Sequence, residues 1–251
     1  MPLLEQYTLV SLILFASSVL QGAVGFASGL FGIPLLMLTG IELPHAVAIS
    51  LVASAIQNCL AAWQLRSEID VRATWRPILI RLATMPAGVL ALYAVGQSSK
   101  ELASQVVGVV VLGIVAAQYA WRVPPQPRLH PAWEWLAFAV GGFLLGLCGM
   151  GGPAMAFWVL AHDWPMNRAR AFLYFIFVTG IPFQALFLWL GYGNPILLSM
   201  LLGLAVLPAV LIGLYLGLAI GRVLPDRLLR ELSLATLGLI GISAIVTPYL
   251  R

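Results

Sequence analysis

Two glycine-rich runs ending in proline carry the first chemical signal. One reads Gly22-Ala23-Val24-Gly25-Phe26-Ala27-Ser28-Gly29-Leu30-Phe31-Gly32-Ile33-Pro34. The other follows Gly141-Gly142 and reads Gly146-Leu147-Cys148-Gly149-Met150-Gly151-Gly152-Pro153. Glycine weakens a helix and permits positive φ, while proline suits the first turn of a new helix, where its missing N–H is not needed. Each run therefore reads as a helix, a break and a new half-helix. A half-helix that begins inside a protein points free N–H groups and its positive dipole end at whatever lies there, which makes an anion site out of backbone. The candidates are Gly25, Ser28, Gly29 and Gly32 in the first run and Cys148, Gly149, Gly151 and Gly152 in the second. Ser28 adds a hydroxyl; Cys148 either lines the site or fills space as a small apolar residue. The same glycines would also allow close helix packing, and the residue types leave both readings open.

Polar side chains within apolar stretches supply further donors. Ser50, Ser54, Gln57 and Asn58 are spaced i, i+4, i+7 and i+8 and share one helical face. Gln57 and Asn58 are too polar for lipid, so this face looks inward, toward a ligand or toward another helix as interhelical glue. Tyr174, Thr179 and Gln184 cluster near the middle of a later apolar segment, where Tyr174 and Thr179 can donate to an oxyanion. Arg81 is the one charge well inside an apolar segment; it reaches an anion as a permanent cation or snorkels to the interface. All nine acidic residues and all three histidines sit at segment ends or in loops. An intramembrane carboxylate relay, a nucleophile paired with histidine, a metal-ligand cluster and a phosphate-binding loop are all missing from the pattern, so neither an enzyme nor a cofactor is expected.

The elements that hold these residues follow from composition. The chain has 251 residues, 61% hydrophobic and 9% charged, with a net charge of +4; its mean hydropathy is +1.00. So few charges could not cover a soluble globule, which excludes a soluble enzyme, a nucleic-acid binder and a disordered chain. The first hydrophobic segment lacks a basic leader and an evident cleavage site, and is expected to stay in the mature protein. Eight apolar segments run over about 6–39, 45–65, 77–97, 102–121, 133–161, 167–190, 195–220 and 231–250. They are continuous rather than alternating, so they are helices and not barrel strands. Six tryptophans (Trp63, Trp75, Trp121, Trp133, Trp135 and Trp164) fall near segment ends, as in an aromatic belt.

The polar stretch Arg122–Pro131 holds four prolines and cuts the chain near its middle. The pattern L-A-x-x-P-A-x-x-x-x-L-Y occurs at Leu82–Tyr93 and again 122 residues later at Leu204–Tyr215. Glu42-Leu43-Pro44 recurs as Asp163-Trp164-Pro165 at an offset of 121, and the glycine runs end in Pro34 and Pro153 at an offset of 119. Two homologous halves are expected: a first transmembrane repeat over 1–121, a linker over 122–132 and a second repeat over 133–251. If all eight segments cross, the Lys and Arg residues divide 7 against 6. If the first segment of each half enters and returns on one side, they divide 11 against 2. The positive-inside rule selects the second arrangement. The expected fold is an all-α polytopic membrane protein with two inverted repeats, each a re-entrant broken helix plus three spanning helices, and with both termini outside the cytoplasm.

The glycine run from Gly22 to Leu36, the apolar helix with small and polar residues after it, and the shorter glycine-rich copy in the second half resemble the sulfite exporter TauE/SafE family. Chain size, segment count and central linker agree over essentially the whole length. The resemblance implies a secondary transporter exporting small sulfur-containing anions such as sulfite or organosulfonates. The glycine runs and the polar residues named above would form its central site. A channel, or a transporter of other small organic anions, is the alternative reading. The partners expected are the small anion and the lipid bilayer, with no nucleic acid, in a multi-pass protein of the cell inner membrane; the oligomeric state is not expressed in the residues.

Overall fold

Both glycine runs turn the chain back on itself. The computed structural model describes residues 3–24, 28–120, 126, 129–223 and 226–246. In the second half, α6 (Pro131–Cys148) ends at Gly149 and α7 (Gly152–Leu160) begins three residues later. Gly149 has φ +71°, and its N–H and that of Met150 return to the Leu145 and Leu144 carbonyls at 2.9 and 3.4 Å, a glycine-terminated helix end. The chain then runs back along α6. Phe138 meets Trp158 edge to face with centroids 5.2 Å apart. Gln126, before α6, donates its N–H to the Ala161 carbonyl at 2.9 Å, and its own carbonyl accepts from the Asp163 N–H at 3.2 Å. The polypeptide thus enters and leaves this hairpin at neighbouring points. A residue with a Cβ at Gly149 would carry strain of about 1–2 kcal/mol and would sit 2.7 Å from the Ile33 Cδ1. Gly149→Ala is accordingly expected to lower the apparent Tm in detergent by several degrees, and a melting curve identical to the parent's would contradict the geometry.

The first half repeats the device. α1 (Leu3–Val24) and α2 (Ser28–Leu38) are joined across 25–27, outside the described residues. A Cβ on Gly32 of α2 would lie 3.4 Å from both Leu14 and Ser17 of α1, so α2 also runs back along its predecessor. The returning arms, α2 and α7, have 11 and 9 residues, about 16 and 13 Å at ~1.5 Å per residue. That is about half of a ~30 Å hydrocarbon layer.

The remaining helices are α3 (Leu43–Gln64), α4 (Val71–Ser98), α5 (Lys100–Ala120), α8 (Met166–Tyr192), α9 (Asn194–Ala205), α10 (Leu207–Val223) and α11 (Asp226–Val246). A single 3-10 turn, Arg66–Glu68, links α3 to α4. Asp70 caps α4, its carboxylate accepting the Arg72 and Ala73 N–H groups at 3.1 and 3.2 Å. Among the described residues there is no strand. Among the described residues six helices (α1, α3, α4, α5, α6 and α8) are long and apolar enough to cross a bilayer, or seven if the bent pair α9–α10 is taken as one span. The protein is an all-α, multi-pass membrane protein.

Two differences from the sequence reading concern boundaries. The seventh apolar segment, expected as one helix, bends by 51° between α9 and α10. Pro208 lies at the second position of α10 and cannot donate a backbone hydrogen bond across the break. Its counterpart Pro86 stays inside a continuous α4. In addition α6 starts at Pro131, so the last residues of the expected linker are already helical; most of the rest of that linker lies outside the described residues.

Packing exchanges elements between the halves. α1 lies along α10, and α6 lies along α4. Under the sequence repeat these are the same contact made twice. Both rely on glycine where backbones touch. A Cβ on Gly22 would approach the Leu214 carbonyl at 2.5 Å, and one on Gly146 would overlap the Met85 carbonyl. α3 packs against α8 and α9, and α5 against α11.

Candidate functional site

The start of α2 meets the end of α6. A Cβ on Gly29 would lie 3.0 Å from the Gly149 carbonyl oxygen, a tight fit that glycine relieves. Beside this contact is a cavity of about 90 Å³. A single water needs ~10–15 Å³ on this measure, so the space suits several waters or one small oxyanion. The first hairpin lines it with Gln21, Ser28 and Gly29, and the second with Gly149, Met150, Gly152 and Pro153. α3 adds Ser50, Ser54 and Asn58; α4 adds Arg81; α8 adds Phe177, Ile181 and Gln184.

The polar lining divides into satisfied and unsatisfied groups. The Ser28 and Ser54 hydroxyls are 3.0 Å apart and bonded to each other. Gln21 accepts the Ser28 N–H at 3.2 Å and so caps the start of α2. The start of α7 has no side-chain cap: its N-cap residue is Gly151, and Pro153 is its second residue. Gln184 donates to the Leu145 carbonyl at 3.0 Å and ties α8 to the second hairpin. The Ser50 hydroxyl is buried with no hydrogen-bond partner.

Arg81 is the decisive residue. It is 2% exposed, and one terminal nitrogen donates to the Ile176 carbonyl of α8. Its guanidinium lies 5.9 Å from the centre of the Phe177 ring and rests in a notch left by Gly180, where a Cβ would overlap it. Its Nε–H is buried with no acceptor. No ion pair involving Arg81 exists among the described residues; the two pairs present are Lys100–Glu42 at 3.0 Å and Arg168–Asp70 at 3.6 Å, both exposed. A buried cation without a counter-charge is costly, so it marks a place where an anion is expected.

Of the residues singled out in the sequence, Ser28, Gly29, Ser50, Ser54, Asn58, Arg81, Gly149, Gly152 and Gln184 share this cavity. The other described ones lie elsewhere. Gln57 is buried and donates to the Ser18 hydroxyl at 2.7 Å, joining α3 to α1. Thr179 donates to the Ile176 carbonyl of its own helix at 2.9 Å. Cys148 donates its thiol to the Leu144 carbonyl at 3.3 Å and is fully buried. Gly32 packs on α1, and Gly151 packs against the Gly141 carbonyl. Tyr174 does not line the cavity. Gly25 lies outside the described residues. Gln21 was not singled out, although an amide in an apolar helix immediately before the glycine run is a signal of the same kind as Asn58.

The two ends of the molecule differ. At the start of α3 a second cavity of about 400 Å³ lies among α1, the 39–42 loop, α3 and α9. There His45 Nδ1 and the Ser199 hydroxyl are 2.7 Å apart. The corresponding place in the second half is filled by rings: Trp158 stacks on Phe172 at 5.6 Å, and Trp164 lies 4.7 Å from His162. Arg168 covers Trp164 at 4.8 Å and bonds Asp70. That contact ties the start of α8 to the turn after α3, so the aromatic plug and the second cavity stand at opposite ends of α3.

Comparison with known proteins agrees with this architecture. The family described as Sulfite exporter TauE/SafE matches residues 9–244. No curated protein and no solved structure matches the chain. With paired helical hairpins, six or seven apolar spans and a match over nearly its whole length, the chain belongs to the TauE/SafE sulfite exporter family.

Proposed function

We propose that the protein is a secondary transporter that exports a small sulfur-containing anion, sulfite or an organosulfonate, through the central cavity. The observation that carries this reading is Arg81: a buried guanidinium with a free Nε–H, no carboxylate partner, and a place in the cavity lining beside the uncapped start of α7. The anion takes its charge partner from Arg81 and the α7 end, and hydrogen bonds from Ser50, Asn58 and the Ser28–Ser54 pair. The arginine-rich loops face the cytoplasm, in the cell inner membrane, and both termini face away from it. Residues 1–121 and 133–251 act as two inverted repeats joined by 122–132. The exchanged α1–α10 and α4–α6 contacts support that division, and rocking of the halves about the hairpin tips alternates access. Export of a monovalent anion from a negative interior gains about 2.3 kcal/mol per 100 mV and so needs no coupling ion.

Thermal-shift binding on the purified protein tests the substrate class, because a ligand of the folded state raises apparent stability. Sulfite or a sulfonate is expected to shift the transition, with acetate and chloride weaker. Absence of a shift with every sulfur anion would remove the substrate assignment. Counterflow and saturation in proteoliposomes distinguish a carrier from a channel. Asn58→Leu is expected to weaken binding at least tenfold, ~1.4 kcal/mol, with the folded yield unchanged. Its amide faces the cavity from α3 with no hydrogen-bond partner among the described residues. Parental transport by that variant would take Asn58 out of the site.

A further inference from the structure

We infer that the central site selects its substrate by charge state, accepting a singly charged anion and rejecting a dianion of the same shape. The inference rests on the anion site proposed above and concerns which form of the substrate that site holds.

The charge inventory of the cavity is short. Arg81 is the one formally charged side chain among the described residues that line it. The rest are neutral hydroxyls, amides, glycines and apolar groups. Donors come from the Arg81 Nε–H and the Ser50 hydroxyl, both without a partner, from the neutral Asn58 amide, and from the uncapped start of α7. A helix end contributes only a fraction of a unit charge. The other helix start, α2, is already closed by Gln21 through the Ser28 N–H. The lining therefore offers little more than one positive charge.

Arg81 and Ser50 are 2% and 4% exposed, so screening by water is weak. A monoanion beside Arg81 leaves a neutral, hydrogen-bonded pair. A dianion leaves a whole negative charge beside these buried groups, and an uncompensated buried charge is strongly unfavourable. The Ser28–Ser54 hydroxyl pair adds a second criterion. Hydroxyl oxygens accept as well as donate, so this side of the cavity can receive the O–H of a protonated oxyanion. Hydrogensulfite, as its O–H form, satisfies both conditions, and simple sulfonates satisfy the first. Sulfite dianion, sulfate and sulfoacetate do not.

Binding to the full-length purified protein tests this with isosteric pairs. Methanesulfonate and sulfate are tetrahedral and alike in size, but carry one and two charges. Methanesulfonate is expected to bind at least tenfold more tightly at every pH, by calorimetry or thermal shift. Raising pH through the second ionisation of sulfite removes the monoanion about tenfold per unit. The apparent affinity for sulfite should fall in step, while that for methanesulfonate stays flat. Inorganic phosphate, which passes from mono- to dianion over a similar range, gives the same reading without sulfur. Sulfate binding equal to methanesulfonate, or sulfite and phosphate affinities that hold or rise with pH, would overturn the inference. Sulfur anions that fail to bind while phosphate follows its monoanion would instead overturn the substrate assignment and leave the charge rule standing. Arg81→Lys retains the single charge and is expected to keep the preference for the monoanion at reduced affinity. An Arg81→Lys protein that prefers sulfate would count against the inference.

Discussion

Arg81→Gln is expected to lower anion affinity and transport by 100-fold or more while leaving the protein at least as stable as the parent. Losing the charged partner of a buried ion costs ~2–5 kcal/mol of binding, and ~2.7 kcal/mol already corresponds to 100-fold. The stability side has the opposite sign. In the empty protein Arg81 is a buried cation without a carboxylate, held by the Ile176 carbonyl and the Phe177 ring. Glutamine removes the cost of burying that charge and keeps an N–H that can bond the same carbonyl. The apparent Tm should therefore hold or rise by a few degrees. The pairing of the two readouts separates a site residue from a structural one. A fall in both Tm and binding would make Arg81 a structural strut, and a rise in Tm with unchanged transport would make it an incidental buried charge. Arg81→Lys should lie between parent and glutamine, because lysine supplies a point charge but no Nε–H and no planar face for Phe177.

Gly146→Val is expected to be strongly destabilising, because it sits in the α4–α6 seam. A Cβ there overlaps the Met85 carbonyl and lies 2.8 Å from the Val89 amide nitrogen. Both are backbone atoms of α4, so no side chain can rotate out of the way and the two helices must part. Overpacking costs ~1–3 kcal/mol even where side chains can adjust, so a larger loss follows here. Gly88 and Gly142 meet the facing backbone in the same manner, which leaves the seam no slack. Function should fall with stability: Gly146 is three residues before Gly149, and Arg81 is on the facing helix. Gly113→Ala and Gly238→Ala are the controls. No atom lies within 4 Å of a Cβ at either position, and replacing glycine in an open helical site gains ~1 kcal/mol at most. A Gly146→Val protein that melts with these controls would refute the close approach of α4 and α6.

The match between sequence and site depended on what lipid does to polar groups. Ser54, Asn58, Arg81 and Gln184 stood out because each is polar within an apolar helix, and all four reach one cavity. Gln57 and Thr179 gave the same signal but face elsewhere, toward Ser18 and the Ile176 carbonyl. Neighbouring positions on a helix differ by about 100° in direction, so Gln57 and Asn58 cannot share a partner, and spacing alone does not say which points to the ligand. The apolar part of the lining, Ile33, Val47 and Phe177, carried no signal at all, since such residues fill every span of this chain. The repeat showed a similar limit. Pro86 and Pro208 occupy the same motif, yet α4 runs through the first and the α9–α10 bend accompanies the second.

What the residues determined by themselves was the class of the protein and the two places where a glycine run breaks a helix. A chain this apolar must satisfy its backbone within helices, and glycine followed by proline marks where a helix ends and another can start. Tertiary packing decided the rest: that both broken segments fold back as hairpins, that Gly29 at the start of α2 meets Gly149 at the end of α6, and that Arg81 crosses to the Gly180 notch with its Nε–H unpaired. Those outcomes depend on the rotation and separation of helices from different halves. Separations of a few ångströms, set by contacts between residues up to 198 positions apart, are not written in local periodicity.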